Sequence, residues 1–238
     1  MNNTWLISGA NRGIGLGYAR QLLAMGEKVI AGVRDPDNAE SLTELSRQHS
    51  PLLNISRLDM NDWDSIDSFA RNLEEERIDY LINNAGLYGG SWVKDSHKQS
   101  IDNMDYELWE EIMRVNVIAQ FRLTRALEGS LMRSDNALVV MMSSDLGSIG
   151  NNDLGQSYAY RTSKAALNMI ARSLAIDLRE RGIRVISMAP GWTQTALGGW
   201  NATWKVEDSV ANQIKVITAL GPEDTGRFVN LHGESVPW

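Results

Sequence analysis

The feature that most constrains this chain is a rhythm: short apolar runs alternate with stretches whose apolar residues recur at helical spacing, almost from end to end. Residues 4–8, 28–33, 53–58, 78–82, 137–142, 183–188 and 228–231 read as strands. Between them, 16–25, 37–49, 62–75, 105–133, 158–181 and 206–219 read as helices. Strands that are apolar throughout belong in a sheet covered on both faces, and a helix between successive strands makes them parallel neighbours with right-handed crossovers. The expected fold is therefore α/β, a doubly wound parallel sheet flanked by helices on both faces. With 238 residues, no internal repeat and no linker, residues 1–238 are expected to form a single domain.

Composition narrows what such a domain does. A net charge of −7 and a pI near 5.0 argue against nucleic acid or an anionic membrane surface as a partner. With no cysteine, disulfides, thiolate metal sites and cysteine nucleophiles are excluded. His49, His97 and His232 lack ligand spacing, so no metal site is expected. The first strand begins near Thr4, which leaves no space for a signal peptide, and no apolar run approaches the roughly 20 residues that span a bilayer. A cytoplasmic protein is expected.

In an open parallel sheet the carboxyl ends of the strands line one crevice, and here four of them carry residues suited to a ligand. The first strand runs into Gly9-Ala10-Asn11-Arg12-Gly13-Ile14-Gly15 and then a helix. Glycines let the backbone turn sharply and approach a pyrophosphate, which amides and the positive helix end then hold. The other ends carry Asn83-Asn84-Ala85-Gly86, Ser143-Ser144-Asp145-Leu146-Gly147 and Ala189-Pro190-Gly191. Further along, Tyr160 and Lys164 stand four apart in one helix, so they share a face. A phenol has an ordinary pKa near 10 and an adjacent ammonium lowers it, which makes the two a tuned acid/base pair. Tyr158 has Thr162 at that spacing and is set aside.

Taken together, these motifs resemble the short-chain dehydrogenase/reductase family over essentially the whole chain. The resemblance implies a Rossmann-type fold and assigns the helical asparagine to Asn116, the serine to Ser144 and the YxxxK pair to Tyr160 and Lys164. Ser144 is preferred to Ser143 because two residues and a glycine, Gly147, follow it. Ser8 stands where threonine is more usual. Ser144 and Tyr160 are sixteen positions apart, with 151–153 as the apparent insertion, and the loop after Gly86 is long. These features are similar to the C-factor and sniffer carbonyl-reductase-like subgroup. Residues 87–104 read as a lid or rim, and 192–204 as an irregular segment rich in Trp, Thr and Gly.

The resemblance implies an oxidoreductase that reduces a small aldehyde, ketone or quinone-like compound, with Tyr160 as general acid. Lys164 would lower the pKa of Tyr160 and contact the nicotinamide ribose, Ser144 would bond the substrate oxygen, and Asn116 would hold a water between Lys164 and solvent. Cofactor contacts carry over to Gly9, Asn11, Arg12, Gly13, Ile14, Gly15, Arg34, Asp59, Met60, Asn84, Ala85, Gly86, Tyr160, Lys164, Pro190, Gly191, Trp192, Thr193 and Thr195. NAD-binding members usually end the second strand on an acidic residue; here Val33 is followed by Arg34, and Arg12 lies within the glycine turn. Two guanidiniums favour a 2′-phosphate, hence NADP(H), unless either arginine is merely solvated or pairs with Asp35. Trp92, Trp192, Trp200 and Trp204 fall on segments that could rim the pocket. A homodimer or homotetramer is compatible with the family. A nucleotide-binding signalling protein without turnover and an NAD-linked alcohol dehydrogenase are the alternatives.

Overall fold

In the computed structural model of the chain, which describes residues 2–238, the strands are β1 (Thr4–Ser8), β2 (Lys28–Val33), β3 (Leu53–Arg57), β4 (Tyr80–Asn83), β5 (Leu138–Met142), β6 (Arg184–Ala189) and β7 (Phe228–Asn230). They form one parallel sheet in the order β3-β2-β1-β4-β5-β6-β7. The order reverses between β1 and β4, so a crevice opens at their carboxyl ends. This is the doubly wound sheet expected from the alternation of strands and helices.

Strand periodicity divides the core in two. Leu6 pairs in register with Ile30 and Leu81, and with Val139 and Val185 they face one side. Their neighbours Trp5, Ile7, Val29, Tyr80, Val140 and Ile186 face the other. Leu123 of α6 (Ala119–Ala126) and Leu167 and Leu174 of α8 (Tyr158–Asp177) cover the first face, together with Ile66 and Phe69 of α3 (Trp63–Arg71). The second is covered by α1 (Gly13–Ala24), α2 (Glu40–His49) and α9 (Val206–Ala219). Each fully buried Leu or Ile on these faces contributes about 1.5–3 kcal/mol. Both layers therefore hold the strand ends rigidly around the crevice.

Three expectations are corrected. Helix α1 begins at Gly13, inside the glycine turn, rather than at residue 16, and its C-terminal stop is Gly26 at φ 81°. The loop expected over 87–104 contains α4 (Trp92–Asp95), a 3₁₀ turn at Ser96–Lys98 and an antiparallel bridge between Gln99 and Met104. The single helix expected over 105–133 is three: α5 (Tyr106–Met113), α6 and α7 (Glu128–Met132), with a π-helical turn at Arg114–Ile118 joining the first two. The apolar stripe continues through that turn, so periodicity alone could not reveal it. Asp105 caps α5 by accepting the Leu108 N–H, and Asp62 caps α3 by accepting those of Asp64 and Ser65. No helix of the described residues is long and apolar enough to cross a membrane.

Candidate active site

The crevice at the strand ends encloses about 1300 Å³, ample for a dinucleotide together with a small substrate. Its floor begins with the glycine turn. Gly9 and Gly13 take φ +68° and +54°, a region that side chains disfavour. A Cβ on Gly9 would stand 3.0 Å from Ala85 Cα, and one on Gly15 would strike Gly9 O and lie 2.7 Å from Asn84 Nδ2. Gly15 thus shapes the turn from beneath rather than lining the crevice. The N-cap of α1 is Arg12, which makes no side-chain cap bond, so the amides of the first turn are left for an anion. Ser8 Oγ accepts the N–H groups of Asn84 and Ala85, each at 3.0 Å, and Asn84 Nδ2 donates to Ser8 O at 2.9 Å. These bonds tie the ends of β1 and β4 into one surface.

Arg34 follows β2, with its side chain 75% exposed and Nε 3.6 Å from Asp59 Oδ1. Asp35 is not its partner: that carboxylate bonds the Asn38 side chain and backbone, which hold its pKa below the usual range. Register explains the choice, since Val33 pairs with Arg57 and brings Asp59 beside Arg34. Asp59 is taken up by Arg34 and the Asn61 N–H, and does not line the crevice, whereas Met60 and the exposed Arg12 do.

Across the crevice stand the residues expected to do chemistry. Tyr160 and Lys164, only 8% and 4% exposed, project from α8, with the Lys164 ammonium 5.5 Å from the centre of the Tyr160 ring. Lys164 Nζ donates to Met142 O at 2.7 Å. Gly147 lets the turn after Ser144 approach, for a Cβ there would stand 2.8 Å from Lys164 Cβ. Ser144 Oγ accepts the Leu146 N–H, which leaves its own proton to donate. Burial lowers the Lys164 pKa to about 8. Burial also raises the phenol of Tyr160 above its ordinary value; the Ser144 hydroxyl pulls it down and Tyr88 pushes it up. The lowering expected from Lys164 is not seen: burial sets the direction, and the downward pull comes from Ser144.

Asn116 lies at the centre of the π-helical turn and is wholly buried behind the crevice wall. Its Oδ1 accepts the Leu87 N–H at 2.7 Å, and its Nδ2 donates to Leu87 O and Ser163 Oγ. Both amide protons are committed, so its geometry is that of a brace for residue 87.

Segment 192–204 closes the third side. Thr193 bonds Pro190 O, Gly191 O and Ser209, while Thr195 Oγ1 accepts the Gly198 N–H. Trp192 donates from Nε1 to Gly198 O at 2.7 Å and meets Trp92 edge-on at 5.4 Å. Trp92 N donates to Leu197 O, which joins this segment to 87–104. Trp92, Trp192 and Trp200 line the crevice; Trp204 instead packs on His232. Every residue expected at the cofactor lines the crevice except Gly15 and Asp59. Sequence reasoning missed Tyr88, Gln99, Ser163 and the tying role of Ser8. Ser8 and Ser163 lie inside motifs the sequence marks and Tyr88 directly follows another, whereas nothing marked Gln99.

The pattern that defines the short chain dehydrogenase family matches residues 3–205. C-signal of Myxococcus xanthus is 39% identical over 171 residues, spanning 72% of this chain and 99% of that protein. The solved structure of the carbonyl reductase Sniffer of D. melanogaster superposes with a TM-score of 0.93 at 30% identity, covering 100% of both chains. An NADPH-bound carbonyl reductase from chicken fatty liver gives a TM-score of 0.91 at 34% identity, over 100% of this chain and 99% of the other.

Proposed function

The chain belongs to the short-chain dehydrogenase family, and on that premise we propose that it is an NADPH-dependent oxidoreductase reducing a small aldehyde, ketone or quinone-like carbonyl. The observation that carries this reading is the placement of Tyr160, Lys164 and Ser144 on the crevice wall opposite an open glycine turn. The residues fit the cofactor. Gly9, Gly13 and the uncapped α1 terminus would hold the pyrophosphate, and a Cβ would fill that cradle. Arg34 and Arg12, both exposed, would hold the 2′-phosphate that distinguishes NADP(H) from NAD. The resemblance to NADPH-bound carbonyl reductase supports the same choice.

When bound in this cradle, NADPH would supply a hydride for the carbonyl carbon. Tyr160 gives its proton to the carbonyl oxygen as charge develops there. Its raised pKa keeps that proton in place at neutral pH. Ser144 donates its free O–H to the same oxygen, and Lys164, cationic below about pH 8, stabilises the phenolate left behind. Asn116 fixes the crevice wall through both backbone groups of Leu87. The walls of the substrate end, Tyr88, Trp92, Trp192 and Trp200, suit an apolar or aromatic carbonyl compound.

NADPH consumption against a panel of aldehydes, ketones and quinones tests the proposal, with fluorescence titration of NADPH and NADH alongside. The expected result is turnover of at least one class and strong preference for NADPH. Arg34→Ala is expected to lose about 1.5–3 kcal/mol of that preference, roughly ten- to a hundredfold. Equal affinity of the parent for both cofactors overturns the NADPH choice. The second reading is a signalling protein that binds the nucleotide without turnover, and the name of the relative C-signal supports only the signalling part of it. Tight NADPH binding by a parent inactive on the whole panel would select it.

A further inference from the structure

A helix begins with amide protons that have no partner within the helix, and the N-cap side chain ordinarily satisfies one or two of them. At the start of α8, within one turn of Tyr160, that arrangement fails. The N-cap residue is Ser157, a favoured type, but its backbone lies in the left-handed region at φ 49° and its hydroxyl makes no cap bond. Gln156 before it is also left-handed, at φ 54°. Two successive residues with side chains in this region are unfavourable unless their surroundings hold them there.

Residues far upstream do so. Gln99, 1% exposed, accepts the Tyr160 N–H on Oε1 at 2.8 Å, and its backbone carbonyl accepts the Tyr158 N–H at 3.1 Å. Its Nε2 donates to Tyr88 O at 2.6 Å. The Tyr88 hydroxyl in turn bonds Ser157 Oγ at 2.9 Å, and its ring stands edge-on to that of Tyr160 at 5.1 Å. A loop from the crevice wall thus supplies the cap that Ser157 does not, and it does so on the backbone amide of Tyr160 itself.

We infer that Gln99 is a positioning residue for Tyr160, capping α8 from the segment packed against its start and, through Tyr88, locking the ring and backbone of Tyr160 to the wall of the substrate pocket. The inference rests on the reading of Tyr160 as the general acid. It assigns a function to the buried glutamine and to the strained turn before α8, neither of which the proposed chemistry uses directly. It also makes residues 87–99 part of the machinery: a change in that wall moves the acid.

Gln99→Ala, Gln99→Glu and Tyr88→Phe test it, with steady-state kinetics, NADPH titration and backbone amide exchange. Gln99→Ala is expected to lower kcat about ten- to a hundredfold while KM and NADPH affinity stay near parental, because a small displacement of a reacting group is costly in rate. Exchange at Tyr160 is expected to rise roughly tenfold as its amide loses its acceptor, while Tyr158, bonded to the backbone carbonyl of residue 99, keeps its protection. Gln99→Glu keeps the acceptor for the Tyr160 N–H but sets an oxygen in place of the Nε2 donor to Tyr88 O, so it should restore Tyr160 protection relative to Gln99→Ala and regain only part of the rate. Tyr88→Phe, which removes only the hydroxyl, should fall between Gln99→Ala and the parent. If Gln99→Ala does not fold, the last two variants carry the test. Parental kcat in every folded variant overturns the inference, as does a loss of kcat matched by a proportional loss of NADPH affinity, which marks general loosening. Should the parent reduce no carbonyl, the proposed function fails, and exchange decides the positioning separately: unchanged protection at Tyr160 overturns it.

Discussion

The two sides of the crevice are made of different material. Around Gly9–Gly15 the wall is backbone: positive φ angles, bare amides at the start of α1, and close approaches that any Cβ would block. Its contacts form within a few residues or between the neighbouring ends of β1 and β4. Around Tyr160 the wall is side chain, and its contacts join positions remote in sequence: Gln99 to Tyr160, Tyr88 to Ser157, Asn116 to Leu87, Trp92 to Leu197. A backbone cradle recognises what every dinucleotide shares, whereas a side-chain wall can be altered residue by residue without disturbing it. Changes on one side should therefore leave the function of the other nearly intact.

The largest expected effect tests that separation directly. Tyr160→Phe removes one hydroxyl and keeps the ring against Tyr88. Turnover is expected to fall by about 10² to 10⁴, the usual worth of a positioned proton donor. NADPH affinity, measured by titration, should stay close to parental. A variant that kept the parental single-turnover rate would remove Tyr160 from the acid role.

Gly15→Ala is the converse change. The new methyl meets Gly9 O and the Asn84 amide, so either the turn or the tie between β1 and β4 must shift. A loss of about 1–3 kcal/mol in stability, the common cost of overpacking, is expected together with weakened NADPH binding. Denaturant unfolding with and without NADPH measures both. Weakened binding of substrate alone would contradict the division of the crevice.

Lys164 belongs to both sides, and its charge reports on burial. Between about pH 8 and 10.5 the unfolded chain keeps a proton that the folded chain has released. The stability of the parent therefore rises with pH through that window, and below it the cost of the buried ammonium is full. Lys164→Met is expected to exceed the cofactor-free parent in stability by about 1–2 kcal/mol at pH 7, with the gap narrowing towards pH 10. The raised Tyr160 acts only above its ordinary value of 10.0 and leaves most of the window clear. A gap independent of pH would show that Lys164 is not buried as a cation.

What could be read in the sequence follows the same boundary. The glycine turn and the Tyr160–Lys164 pair are legible because glycine spacing and helical spacing are local properties, and each predicts its own geometry. The parallel, doubly wound sheet is legible because fully apolar strands separated by helices admit few topologies, though the strand order itself was not read. The partner of Arg34 was not: Asp35 is adjacent in sequence, but the pairing of β2 with β3 delivers Asp59. Nor was the π-helical turn at Asn116, through which the apolar stripe runs on, or the bonds of Asn116 to Leu87 on another segment. Gln99 was invisible for the same reason, as one glutamine in a polar loop whose three contacts lie elsewhere.

The smallest expected effect concerns the outer rim, where two tryptophans divide by their anchoring. Trp192 is held by its bond to Gly198 O and by Trp92, so its removal would disturb the fold of 192–204 as well as any substrate contact. Trp200 is 77% exposed and lines the mouth of the crevice. An exposed indole contributes little to stability, so Trp200→Ala should change the unfolding free energy by less than about 0.5 kcal/mol. If its ring meets substrate, KM for an aromatic carbonyl should rise about two- to fivefold, with kcat and NADPH affinity unchanged, the pattern of lost binding common to ground and transition states. A small aliphatic aldehyde, too short to reach the rim, should show no change in KM. An equal rise for both substrates would mean that Trp200 acts through the packing of its segment, and would extend the side-chain wall outward to the rim.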